Sequence, residues 1–166
     1  MEIVFLILSV YAVAVLETAL GGLIEVRHVV PDLMALVAVT WLLVTGRPRG
    51  FLAAAAVGLA SDLTSAGPAG IGMAAFAVVG YGIVALRGKL DMGHPLVQLA
   101  VAWAAFAAIT LGEGAAWRLT SETALAWPTL AVRAVAVANY TAAVSLPVLL
   151  VIDWRRRPRV KAMAAG

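Results

Sequence analysis

Five charged side chains lie inside otherwise apolar sequence, and these are the residues of the chain that could do chemistry. They are four carboxylates and one guanidinium: Glu17, Asp32, Asp62, Glu113 and Arg133. A charged group inside a membrane-spanning segment is energetically costly, so each one marks a functional or structural site. Neighbouring carboxylates can relay protons, bind a ligand or act as acid and base, and Arg133 is the cation expected to pair with at least one of them.

A structural role is the leading interpretation of the two aspartates. Asp32 follows Pro31 at the start of an apolar run, where its side chain would cap a helix N-terminus. Asp62 precedes a turn of small residues, and its side chain would bond to the backbone around residues 65–67. A ligand-binding or partner-binding pocket, a proton relay and catalysis remain open, although paired carboxylates alone define no reaction.

Composition excludes several other kinds of site. The chain has no Cys and two His, which excludes disulfides and thiolate chemistry and disfavours a histidine metal site. Because no nucleophile–base pair or metal motif is present, we expect neither an enzyme nor a bound cofactor. The isoelectric point is about 9.8, but the basic residues lie at the ends of apolar runs, a distribution typical of membrane topology and not of nucleic-acid binding.

The overall hydropathy indicates an integral membrane protein. The 166 residues are 63% hydrophobic and 13% charged, with a mean hydropathy of +1.00, whereas soluble domains carry about 25% charged residues. The predicted fold class is therefore an all-α bundle of about six transmembrane helices, in one domain over residues 1–154. The first apolar run lacks a preceding basic region, so we expect a retained first helix, not a signal peptide.

The apolar runs and their punctuation place the elements that position the charged residues. Six helices are predicted at residues 3–24, 31–45, 51–64, 70–86, 96–117 and 129–152. The second and third are shorter than the roughly 20 residues that cross a bilayer upright. They either extend into the flanking turns or lie where the protein shields them from lipid.

Basic residues predict the orientation of this bundle. With six spans, nine Lys and Arg lie on the side of the 46–50 turn, the 87–95 loop and the C-terminal tail, against two on the opposite side. The excess of positive charge predicts that both termini are cytoplasmic. In this orientation the four acids and Arg133 all fall in the outer half of the membrane, where they could form one polar cluster. The tail, residues 155–166, is then a basic cytoplasmic segment that contacts anionic lipid or a protein partner.

Small residues recur every fourth position on three helices. On the third helix they include Gly50, Ala54 and Gly58, and similar stripes run over 100–116 and 134–142. Residues four apart share a helix face, and small side chains there allow close approach of two helices. Packing inside the bundle and docking to a partner's transmembrane helix both explain such stripes.

Residues 30–87 carry a series of short motifs. In chain order the motifs are Pro31-Asp32-Leu33, Gly50-Phe51, Gly58-Leu59-Ala60-Ser61-Asp62-Leu63, Gly67-Pro68-Ala69-Gly70 and Gly80-Tyr81. This series resembles the rod shape-determining protein MreD family. They cover about a third of the chain, and the last two predicted helices are similar to the family in character only. Each motif is weak alone, and their order and spacing carry the resemblance.

The resemblance implies a multi-pass protein of the bacterial inner membrane in the cell-elongation machinery that synthesises peptidoglycan. Such a protein is a non-enzymatic scaffold that works with MreC, the actin-like MreB, the RodA glycosyltransferase and a class B penicillin-binding protein. On this basis, ten residues are structural or partner-binding candidates: Glu17, Asp32, Gly50, Gly58, Asp62, Gly67, Pro68, Gly70, Glu113 and Arg133.

A substrate-binding subunit similar to the S components of energy-coupling-factor vitamin transporters is the alternative. Those subunits also have six helices and bind a small molecule in the outer half of the membrane, where the acids are predicted here. The first helix, however, lacks the expected stripe of small residues, since Leu16 follows Ala12 at the fourth position.

Overall fold

A computed structural model describes residues 2–20, 29–45, 50–65, 69–120 and 126–164. This part of the chain is all-α, as predicted, with six helices: α1 (Glu2–Leu20), α2 (Leu33–Thr45), α3 (Gly50–Thr64), α4 (Ile71–Leu86), α5 (Pro95–Thr120) and α6 (Trp127–Ala164). The stretches Pro95–Leu119 and Trp127–Val151 are long and apolar enough to cross a membrane, and the other four helices have shorter apolar stretches. Six crossings and cytoplasmic termini remain predictions.

Several helix boundaries differ from those predicted: α5 ends at Thr120 and not near residue 117, and α6 begins at Trp127, two residues earlier than expected. Helix α2 begins at Leu33, two residues later than expected, because Asp32 acts as its cap. Helix α6 does not end near residue 152 but continues through the basic segment to Ala164. Long unbranched side chains such as those of Arg and Lys are good helix formers, so charge alone does not end a helix.

The shortest helix, α2, forms the centre of the bundle. It contacts all five other described helices, and none of its residues is exposed. Its fully buried residues line one half of the helix: Met34, Ala35, Ala38, Val39, Leu42 and Leu43. A helix that is apolar all round belongs in a protein core. The burial of α2 by its neighbours agrees with the alternative in which the protein shields a short helix from lipid.

The α3–α4 pair is the most closely packed in the fold. A Cβ atom on Gly58 would lie 2.6 Å from the carbonyl oxygen of Gly72 and 2.9 Å from the Cα of Met73. Because these neighbours are backbone atoms, only glycine fits at position 58 without moving one helix. The glycine face of α3, including Gly50, Ala54 and Gly58, is buried, so it packs inside the bundle.

The other two small-residue stripes face different ways. On α6, Ala134, Ala138 and Ala142 are buried, which confirms internal packing. On α5, Ala100 and Ala104 are exposed and point away from the bundle. A spacing of four residues identifies a shared helix face but does not specify what that face contacts.

Candidate functional site

Two carboxylates bind the N-terminus of α2, one from the residue just before this helix and one from α1. Asp32 Oδ1 accepts the backbone N–H of Ala35 at 2.7 Å, which is the predicted cap. Glu17 Oε1, from α1, accepts the N–H groups of Leu33 at 2.8 Å and Met34 at 3.2 Å. The first turn of a helix has unpaired N–H groups and a partial positive charge, so both carboxylates are stabilised there.

A third helix fixes this N-terminus. The Asp32 backbone N–H donates to Thr141 Oγ1 at 3.0 Å, and Thr141 is fully buried on α6. Helices α1, α2 and α6 are therefore joined at one point by polar bonds. Neither Glu17 as a cap nor Thr141 as an acceptor was predicted, because both are distant in sequence from the backbone groups that they bind.

Asp62, at the end of α3, performs the same function for α4. Its Oδ2 accepts the N–H groups of Gly70 at 2.8 Å and Met73 at 3.1 Å, and its Oδ1 accepts that of Gly72 at 2.8 Å. The side chain is 9% exposed. The prediction placed the bonds of Asp62 at the backbone around residues 65–67, but the described bonds reach residues 70–73 instead.

Two glycines let the backbone reach Asp62. Gly70 has a φ of 101°, in the left-handed region that favours glycine. A Cβ atom on Gly72 would lie 2.5 Å from Asp62 Oδ1 and 3.1 Å from the carbonyl oxygen of Gly58. The motifs around Gly58 and Gly70 thus act together. The close contact of Gly58 with Gly72 brings the N-terminus of α4 within hydrogen-bonding distance of the Asp62 carboxylate on α3.

Glu113 brings a fourth carboxylate to this region from α5. It is partly buried and interacts electrostatically with Asp32 and Asp62, and Asp32 interacts in turn with Glu17. The predicted polar cluster is therefore present for the four acids. Three of them neutralise helix N-termini, which lowers the mutual repulsion of the group.

Arg133 is not part of the cluster. It is exposed on α6, and among the described residues no ion pair joins it to Glu17, Asp32, Asp62 or Glu113. The expectation that Arg133 pairs with one of these acids is therefore not met. The reason is that backbone N–H groups serve as the positive partners of Glu17, Asp32 and Asp62, so a buried arginine is not required.

The opposite end of α2 has a complementary cationic cap. Arg87, just after α4, donates from Nη1 to the Leu42 carbonyl and from Nη2 to the Leu43 carbonyl, both at 3.0 Å. A cation stabilises the unpaired carbonyl groups and negative partial charge of a helix C-terminus. The sequence places Arg87 only in a predicted loop, and its one available signal is its position at the end of an apolar run.

The remaining predicted residues either pack against neighbouring helices or lie outside the described residues. Gly50 is buried against Leu42 and Gly58 lies against α4. Gly67 and Pro68 fall outside the described residues. The cluster therefore consists of Glu113, within α5, and of three acids that accept hydrogen bonds from helix N-termini.

This arrangement is suited to holding helices together. Three of its four carboxylates already accept backbone hydrogen bonds. In the described ranges, no group of three His, Cys, Asp or Glu side chains has the geometry to hold a metal ion. The hydrogen bonds of the cluster fix the N-termini of α2 and α4 against α1, α3 and α6.

Comparison with protein families matched residues 1–116 to the rod shape-determining protein MreD. The matched region contains helices α1 to α4, most of α5 and all four acids of the cluster. It is wider than the 30–87 segment whose motifs carry the resemblance. No curated relative and no solved structure matched the chain.

Proposed function

The chain belongs to the rod shape-determining protein MreD family, and we propose from this premise that it is a non-enzymatic membrane scaffold of the cell-elongation machinery. In this role it binds an MreC-like protein in the bacterial inner membrane. It thereby connects the actin-like MreB to RodA and a class B penicillin-binding protein during peptidoglycan synthesis. The family match, which covers residues 1–116 of 166, is the observation that carries the proposal.

The carboxylate cluster supports a scaffold role. Glu17 and Asp62 connect the end of one helix to the start of another, at distances of 2.8 to 3.2 Å. Such bonds hold neighbouring helices in a fixed relation, and a fixed surface is what a docking protein needs. A catalytic role would require these oxygens to be available to a substrate.

Affinity purification from native membranes tests the proposed partners. A tagged full-length chain should recover an MreC-like membrane protein, together with the associated synthesis proteins, above the level obtained with an unrelated multi-pass protein carrying the same tag. Recovery of an ATPase module with a bound vitamin, and of no MreC-like protein, would contradict the scaffold and favour the transporter alternative.

A depletion experiment tests the cellular role. Removal of the chain should convert rod-shaped cells to rounded ones, and re-expression of the wild-type chain should restore the rods. Asp91→Asn provides a control variant, because Asp91 is exposed in the α4–α5 connection, and it should restore shape fully. Cells that remain rod-shaped after complete depletion would contradict the proposal.

A further inference from the structure

The outward face of α6 has one polar side chain in an apolar surface. Its exposed residues are Val132, Val135, Asn139, Ala143, Leu146 and Leu150. Residues 132, 139 and 146 repeat at seven-residue intervals, the spacing that keeps one line of side chains facing a partner helix. No described helix covers this face.

Asn139 is placed at the depth where an uncovered polar group is least tolerated. It is the central residue of the membrane-length stretch Trp127–Val151, with twelve residues on either side. Its Oδ1 accepts the indole N–H of Trp103 on α5 at 2.8 Å. Within the described part of the chain its own amide N–H groups have no acceptor, and hydrocarbon offers none.

We propose that a second copy of this chain covers this face, with the two Asn139 carboxamides hydrogen-bonded to each other across a two-fold axis along the membrane normal. A carboxamide has both donors and an acceptor, so it is complementary to itself. The Asn139 oxygen retains a second lone pair beside the one that binds Trp103. Each amide can therefore donate one bond and accept one from its partner.

Membrane insertion favours a second copy over an unrelated helix. Copies of one chain insert in the same orientation, so their Asn139 residues lie at the same depth without further adjustment. An unrelated partner would need its own hydrogen-bonding group at this depth. A two-fold contact is also self-complementary, as the commonest oligomers are.

The neighbouring side chains fit such a contact. Val132 and Leu146 extend the line of Asn139 towards both membrane surfaces, and Ala143 allows the backbones to approach. A single asparagine in an apolar seven-residue repeat fixes the register and the number of helices in a parallel coiled coil. Here it would select a dimer with the two α6 helices in register.

Cysteine cross-linking tests the proposed face directly, because the chain has no native Cys. Val132→Cys places a thiol one seven-residue repeat from Asn139. Val78→Cys is the matched control, since both valines are 71% exposed but Val78 lies on α4. In native membranes, Val132→Cys should give a disulfide-linked product of twice the chain mass, and Val78→Cys should give none.

Two outcomes of this comparison overturn the proposal. One is equal cross-linking, or no cross-linking, by the two variants. The other is linkage of Val132→Cys mainly to a different protein. Neither outcome bears on the scaffold function, which the recovery of an MreC-like protein tests separately.

Substitution of Asn139 tests the role of its carboxamide. In liposomes of phosphatidylethanolamine and phosphatidylglycerol, Asn139→Leu should weaken dimerisation about tenfold, as expected from two lost intramembrane hydrogen bonds. Asn139→Gln, which keeps a carboxamide, should retain most of it. Single-molecule photobleaching over a lipid dilution series measures the dimer fraction, and equal dimerisation of wild type and Asn139→Leu would refute the amide contact.

Discussion

Asp62→Asn should destabilise the protein by separating α4 from its cap. The carboxylate uses both oxygens, Oδ2 for Gly70 and Met73 and Oδ1 for Gly72. Asparagine has one acceptor oxygen, so it can keep at most the two bonds made by Oδ2. Its amide group would then face the Gly72 N–H, donor against donor.

The magnitude follows from these contacts. A lost hydrogen bond to a buried charged group costs about 1.5–3 kcal/mol, and the loss of a negative charge at a helix N-terminus costs up to about 1–2 kcal/mol. We therefore expect Asp62→Asn to lower the free energy of unfolding by about 3 kcal/mol. Asp62→Ala, which leaves all three N–H groups without the carboxylate, should lower it by about 5 kcal/mol.

The assay is reversible unfolding in mixed detergent micelles, followed by the loss of helical circular dichroism as the SDS fraction rises. Asp91→Asn is the control, because exposed Asp91 accepts a single bond from Gly93; its effect should be within about 0.5 kcal/mol. If Asp62→Asn also unfolds within about 0.5 kcal/mol of the wild type, the three bonds do not contribute as argued.

Three further substitutions test the helix connections with the same unfolding assay. Gly58→Ala should lower the free energy of unfolding by about 2 kcal/mol or more, because the added Cβ would meet backbone atoms of α4. Gly82→Ala is the control, since a Cβ there has open space and should leave the stability unchanged or raise it. Equal effects of the two variants would contradict the close contact. Glu17→Gln should lower the free energy of unfolding by about 1 kcal/mol or less, because one carboxylate oxygen accepts both bonds and the amide oxygen can replace it. An effect as large as that of Asp62→Asn would show that Glu17 and Asp62 do not differ in this way. Arg87→Met should lower the free energy of unfolding by about 2 kcal/mol, because two hydrogen bonds to carbonyl groups are lost. Arg87→Lys should recover part of this loss. If Arg87→Met is as stable as the wild type, Arg87 does not cap the C-terminus of α2.

Local signals predicted much of the fold and one part of the site. The hydropathy pattern located all six helices, including the short α2 and α3. Asp32 was predicted as a cap because the N–H that it binds is only three residues away. The small-residue face of α3 followed from a spacing that depends only on helix geometry, whereas its burial is seen only in the structure.

Long-range contacts explain what the sequence did not predict. Glu17 reaches backbone 16 residues later, and Arg87 reaches backbone 44 residues earlier. These partners depend on how the helices cross, which a list of apolar runs does not specify. The prediction for Arg133 failed for the same reason, since it assumed that the charges at one depth would meet side chain to side chain.

The sequence by itself determined that this is a helical membrane protein of the MreD family, because hydropathy and short motifs are local properties of the chain. Only the tertiary structure decided what its intramembrane charges do. Asp62 and Glu17 bind the N-termini of neighbouring helices, and their partners are backbone groups that every sequence possesses. Such partners leave no side-chain signal, so the pairing appears only when helix packing brings a particular N-terminus to a particular carboxylate.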